Sequence, residues 1–173
     1  MALVLDGSLA AASIRLQIAE EVMAHVAKGH RAPGLVAILV GEDGASQTYV
    51  GAKKTACDEV GFAGDVRRFP ATISEAELLE EIEKINRDET IDGLIVQLPL
   101  PKHISEEKVT QAILPGKDVD GFHDINMGKL AKGDEAGVKP ATPFGVTLLM
   151  KHYGIETNGK HVVVVGRSNI VGR

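Results

Sequence analysis

The residues able to do chemistry fall into three groups. Tyr49 and Lys53 stand four positions apart, so on a helix they share a face. Ser46 and Cys57 lie on much the same stripe. A lysine beside a tyrosine in a pocket acts as a general acid/base when burial lowers its pKa. The plain alternative is a solvated Lys53 with Tyr49 packed beneath it. Gln97 ends the apolar run Leu94-Ile95-Val96, where it either bonds a substrate or holds Lys53 in place. Asp118 and Asp120 share the turn Pro115-Gly116-Lys117-Asp118-Val119-Asp120-Gly121. They suit binding a cation, capping a helix or recognising a heterocycle with adjacent N–H groups, although a charged turn is often simply solvated. Gly166, Arg167 and Ser168 follow a run of valines and offer a guanidinium and a hydroxyl to a phosphate, with backbone N–H groups of a following helix start. They depart from Gly-x-Gly-x-x-Gly, because position 168 is serine.

Other chemistries find little footing. Histidines 25, 30, 103, 123, 152 and 161 show no paired metal-ligand spacing, and Cys57 is alone, so no metal is expected. No Gly-x-Ser-x-Gly marks a nucleophilic serine.

The elements that must carry these residues alternate. Residues 3–6 read as a short strand, and Leu9 to Ala27 as a helix with Leu9, Ile14, Ile18, Val22 and Val26 near helical spacing, ended by Lys28-Gly29. Leu35 to Val40 is uniformly apolar, as a strand buried on both faces should be. A helix follows from about Ala45 to Val60, closed by Gly61, and then a strand from Phe62 to Phe69 ended by Pro70. Ser74 with Glu77 forms a capping-box pattern ahead of Leu78, Leu79, Ile82 and Ile85. The Leu94-Ile95-Val96 strand stops at Gln97, because Pro99 and Pro101 lack the N–H a central strand needs. A short polar helix comes next. Lys132 to Gly137 is the most linker-like stretch. Thr142 as N-cap and Pro143 at the first helical position start another helix, running to about Tyr153. His161 to Val165 reads as a strand. The alternation indicates an α/β fold with a mainly parallel sheet, and open sheets of this kind place ligands at the carboxyl ends of their strands. A strand followed by a glycine-bearing turn normally feeds a helix. None follows Arg173, so the sequence reads as a piece of a longer protein, cut inside a second α/β domain.

Composition sets the outer bounds. The 173 residues are 44% hydrophobic and 25% charged, an ordinary globular balance, and only 3% aromatic, so the core must be aliphatic. A net charge of −5 speaks against a nucleic-acid or membrane-surface binder. One cysteine excludes an internal disulfide and fits a reducing compartment. Without a signal-peptide pattern or an apolar run of membrane length, a cytoplasmic protein is expected.

Taken in order, five motifs resemble the bifunctional methylenetetrahydrofolate dehydrogenase/methenyltetrahydrofolate cyclohydrolase family. They are Ser46-Gln47-Thr48-Tyr49-Val50-Gly51-Ala52-Lys53, Val96-Gln97-Leu98-Pro99-Leu100-Pro101, Pro115 to Phe122, Thr142-Pro143-Phe144-Gly145-Val146, and Val165 to Gly172. The resemblance implies a parallel-sheet, three-layer catalytic domain over residues 1–140, a connecting helix and linker over 141–158, and from 159 the start of a Rossmann-type NADP domain. It implies oxidation of 5,10-methylenetetrahydrofolate by NADP+ and hydrolysis of the methenyl product to 10-formyltetrahydrofolate, in one-carbon metabolism that feeds purine and amino-acid biosynthesis. Lys53 matches the catalytic lysine, Gln97 the glutamine that tunes it, Tyr49 the tyrosine stacking on folate, and Asp120 the aspartate bonding the pterin. Gly166, Arg167 and Ser168 match cofactor contacts. A homodimer is implied too. Two positions depart from the family's pattern: Asp124 stands where proline is expected after His123, and Ala141 where cysteine is usual. The 173-residue piece is expected to lack dehydrogenase activity.

Two competing readings stand beside this one. Tyr49-x-x-x-Lys53 also resembles short-chain dehydrogenases, but those need a glycine-rich turn upstream of the pair, and Val4-Leu5-Asp6-Gly7-Ser8 is not one. The other is a folate-binding fragment without turnover.

Overall fold

A computed structural model describes residues 3–172. Strands β1 (Gly34–Val40), β2 (Ala63–Phe69) and β3 (Gly93–Val96) form a parallel sheet in the order β2-β1-β3. Helices α1 (Gly7–Ala27), α2 (Gly44–Val60), α3 (Glu75–Arg87), α4 (Glu106–Ala112), α5 (Asp124–Ala131) and α6 (Ala141–His152) complete it. The register pairs Ile38 with Arg67 of β2 and with Val96 of β3. A single further parallel bridge, Leu94 with Asp118, extends the pairing beyond the named strands.

The alternation of side chains along β1 explains the layers. Val36, Ile38 and Val40 enter one apolar cluster with Leu78, Ile82 and Ile85 of α3, Val109 of α4, and Leu94 and Val96 of β3. Ala37 and Leu39 point the other way, into a smaller cluster with Val50 of α2 and Ile95. With both faces covered, β1 has no use for polar residues. β2 is an edge strand and alternates half-buried and exposed positions instead.

Local signals set most element ends. Asp6 caps α1, accepting from the N–H groups of Ser8 and Leu9. Gly61 closes α2 in the left-handed conformation at φ 79°, which a glycine adopts at little cost. Ser74 and Glu77 make the reciprocal capping box of α3. Tyr153, just past α6, ties that helix to the start of α1: its hydroxyl accepts from the Asp6 N–H at 2.9 Å and donates to the Asp6 carbonyl.

Three expectations are corrected. Residues 3–6 are not a strand; Leu3 and Val4 are exposed and pair with nothing described. Residues 161–165 are not a strand either, and Val165 is 95% exposed. A strand needs a ladder partner, and no described strand lies beside either segment. Thr142 is not the N-cap of α6. The helix begins at Ala141 behind Pro140, without a side-chain cap, because the Pro140 carbonyl already receives the Phe144 N–H. In α1 the expected stripe holds through its centre, with Ile14 and Ile18 half-buried and Val22 buried; Leu9 and Val26 at its ends are exposed, and Ala10 is buried in place of Leu9. Helix α5 has no counterpart in the sequence reading. Its N-cap is His123, whose Nδ1 accepts from the Ile125 N–H, and histidine is not a usual start signal.

Since Ile38 is fully buried at the centre of the larger cluster, Ile38→Ala should lower the unfolding free energy by about 2–5 kcal/mol. Denaturant unfolding checks this, with an unchanged denaturant slope expected.

Candidate active site

The site lies at the carboxyl end of the sheet, where β3 hands over to Gln97. The amide of Gln97 has a determined orientation: its Nε2 donates to the Leu98 carbonyl at 2.8 Å. That leaves Oε1 as the acceptor facing Lys53, whose Nζ donates to it at 3.3 Å. Lys53 reaches this point because α2 buries Ser46, Val50, Cys57 and Val60, placing position 53 half-buried on the same side of the helix. The Cys57 thiol has its pKa pushed up by that burial.

Tyr49 is 66% exposed. The alternative of a tyrosine packed beneath the lysine therefore falls away; Val50 fills the space under α2. Burial pushes the Asp120 carboxyl above the ordinary carboxylate range, against the Lys53 cation that pulls it down, and the Asp118 charge pushes it further up. Lys53 and Gln97 are in direct contact, the Lys53 charge acts on Asp120, and Tyr49 is exposed on the same helix as Lys53.

The turn that presents Asp120 uses its other side chains as anchors. Lys117 Nζ donates to the carbonyls of Ile85 and Asp88 at 2.8 and 2.7 Å, at the end of α3. The Lys117 carbonyl accepts from the Leu94 N–H of β3 at 2.7 Å. Asp118 is 2% exposed and is a structural acceptor, not a ligand group: it takes the N–H groups of Phe122 and His123 and the amide of Asn126. Gly93 lets Val119 sit against β3, since a Cβ there would lie 2.7 Å from the valine Cγ1. Gly121 has φ 71°, and a Cβ on it would lie 2.8 Å from the Pro140 nitrogen. Asn126 and Lys117 carry much of this arrangement, and neither stood out as a site residue in the sequence. Their only signal was adjacency to the Asp118-Asp120 turn.

The segment from Gly166 to Ser168 is exposed. The Ser168 Oγ accepts from the Val171 N–H, and Gly172 lies so close to Gly166 that a Cβ would be 2.3 Å from its carbonyl carbon. Ser168, Asn169 and Ile170 line a groove opposite Leu98 and Phe122, neighbours of Gln97 and Asp120. Among the described residues no group of three or more His, Cys, Asp or Glu side chains is placed to hold a metal ion, and no helix is long and apolar enough to cross a membrane.

A parallel α/β sheet with polar side chains gathered at the carboxyl ends of its strands is the class of fold that binds ligands at that edge. The pattern of the tetrahydrofolate dehydrogenase/cyclohydrolase catalytic domain matches residues 5–120, and that of the same family's NAD(P)-binding domain matches residues 140–173. The chain belongs to the tetrahydrofolate dehydrogenase/cyclohydrolase family. It is 52% identical over 169 residues to the bifunctional protein FolD of Flavobacterium johnsoniae, covering 98% of this chain and 57% of that one. Among solved structures, the bifunctional FolD methylenetetrahydrofolate dehydrogenase/cyclohydrolase of Campylobacter jejuni matches with TM-score 0.95 and 44% identity over 98% of this chain and 60% of its own. The N5,N10-methylenetetrahydrofolate dehydrogenase-cyclohydrolase of Trypanosoma brucei, solved with NADP cofactor and an inhibitor, matches with TM-score 0.93 and 35% identity over 99% of this chain and 58% of its own. The chain thus spans less than two thirds of the length of the relatives it matches.

Two outcomes test the geometry. Gly121→Ala combines a left-handed backbone with a close approach to Pro140 and should cost about 2 kcal/mol or more of stability, measured by denaturant unfolding. Asp120→Asn works the other way. A carboxyl raised on folding stabilises the fold only below its unfolded pKa, and that contribution is lost as pH rises through the raised value. The variant should therefore melt higher than the parent near pH 7 and no differently near about pH 3. A lower melting point near pH 7 would contradict the assignment.

Proposed function

We propose that the protein to which this chain corresponds oxidises 5,10-methylenetetrahydrofolate with NADP+ and hydrolyses the methenyl product to 10-formyltetrahydrofolate. The observation that carries this reading is the contact of Lys53 Nζ with Gln97 Oε1 at 3.3 Å, with the half-buried Asp120 within reach of the lysine's charge. Family membership and the FolD relatives support it. Residues 1–140 would be the folate-binding catalytic domain, 141–158 a connecting helix and linker, and 159–173 the opening of the cofactor domain.

The roles follow from the chemistry of each group. Tyr49 presents an exposed ring on which a flat pterin stacks. Asp120 accepts hydrogen bonds from the donor-rich edge of that pterin; its burial makes those bonds strong once a ligand excludes water. Lys53 Nζ handles the proton of the water that attacks the methenyl carbon, and Gln97 keeps Nζ on the line between helix and ring. Gly166, Arg167 and Ser168 would hold NADP. An exposed guanidinium, a hydroxyl and a turn closed by two facing glycines suit a phosphate-bearing cofactor. Bound there, NADP+ supplies the hydride acceptor for the oxidation. A homodimer in the cytoplasm, serving purine and amino-acid biosynthesis, completes the reading.

Lys53→Met in the full-length protein should reduce cyclohydrolase turnover by about a hundredfold or more. Hydrolysis of 5,10-methenyltetrahydrofolate, followed by loss of its absorbance, measures this. Turnover within a few-fold of the parent would remove the lysine from its role.

A further inference from the structure

Asn126 is 2% exposed, and both ends of its amide are hydrogen-bonded to the chain around it. Nδ2 donates to the Pro115 carbonyl at 2.9 Å and to Asp118 Oδ2 at 2.9 Å. Oδ1 accepts from the Val138 N–H at 3.3 Å. One side chain therefore joins the start of the turn, its buried aspartate and the strand-like return that leads to Pro140. Asparagine is the residue type that fits, because two donors and one acceptor are required. Aspartate would set a second carboxylate against Asp118, and leucine would leave the Pro115 carbonyl and the Val138 N–H without their partner.

The other half of the pair is equally specific. Asp118 receives three donors on two oxygens: Phe122 N–H on Oδ1, and His123 N–H with the Asn126 amide on Oδ2. An amide at position 118 would turn one acceptor into a donor facing a backbone N–H. On the far side, Gly121 rests directly on the backbone of Lys139 and Pro140. Asp120 is thus flanked by two fixed points, Asp118 and Gly121, while its own carboxylate makes none of these bonds.

We propose that Asn126, acting through Asp118, is a positioning residue that holds the Asp120 carboxylate in place to bind the substrate. The inference rests on the folate reading of Asp120, and the test separates the two. The full-length protein and its variants are titrated with 5-formyltetrahydrofolate, a stable tetrahydrofolate derivative, by calorimetry. Asn126→Ala and Asp120→Ala should each weaken binding by about tenfold, the scale of one lost hydrogen bond to a charged group. In the Asp120→Ala background, Asn126→Ala should add little, because the residue it positions is gone. Asn126→Ser keeps a polar atom in the cavity; it replaces the alanine variant if that one does not fold, with weaker binding and the same loss of additivity expected. No binding by the unsubstituted chain would overturn the folate reading itself. Binding by that chain with full affinity in the Asn126 variants, or with effects that add to those of Asp120→Ala, would overturn the positioning role alone.

Discussion

The structure depends on β1 being buried on both faces. A strand covered by α3 and α4 on one side and α2 on the other must be apolar at every position. It must also satisfy its backbone groups through neighbours in the sheet, because no water reaches them. Parallel partners on both edges do that. Parallel strands in turn require crossover helices, and the site draws its side chains from one of these helices and from the segments that follow β3. Lys53 comes from one crossover and Gln97 from the end of the strand reached by the next. Their meeting at 3.3 Å results from layer packing, without any motif that brings the two together in sequence.

The site also shows how a small carboxylate-bearing turn is made rigid without a metal-like centre. Lysine, aspartate and asparagine side chains are directed inward at backbone groups of α3, the start of α5 and the return toward Pro140. Each buried polar atom here finds a partner, and no buried side-chain nitrogen or oxygen among the described residues lacks one. Such networks are costly when incomplete and specific when complete. Asp120 is the acidic member of the turn that takes no part in this network, and its carboxyl is pushed up by partial burial and by the Asp118 charge, against the pull of Lys53.

Much of this was legible in the sequence where one residue type has one physical use. The uniform apolarity of β1, the Ser74–Glu77 capping box and the glycine at position 61 each specify local geometry, and each is found as expected. Thr142 was misleading because Pro140 ends the preceding extended segment two residues earlier and its carbonyl starts the helix. The valines at 162–165 have strand propensity, but propensity acts only where a ladder exists. Helix α5 begins on a histidine cap that no propensity scale favours. Of the site, Lys53 with Gln97 was within reach of sequence reasoning as a possible contact. Asn126 was not, because nothing in a sequence distinguishes an asparagine that clasps three backbone segments from one on the surface.

The anchoring of Lys117 has a mechanical consequence. Its ammonium group is fixed to the end of α3 and its carbonyl to β3, so the turn carrying Asp120 belongs to the same solid body as the sheet. It cannot swing outward without first fraying the last turn of α3. The chain beyond Pro140 is tethered separately, where α6 is held to the start of α1 through the hydroxyl of Tyr153.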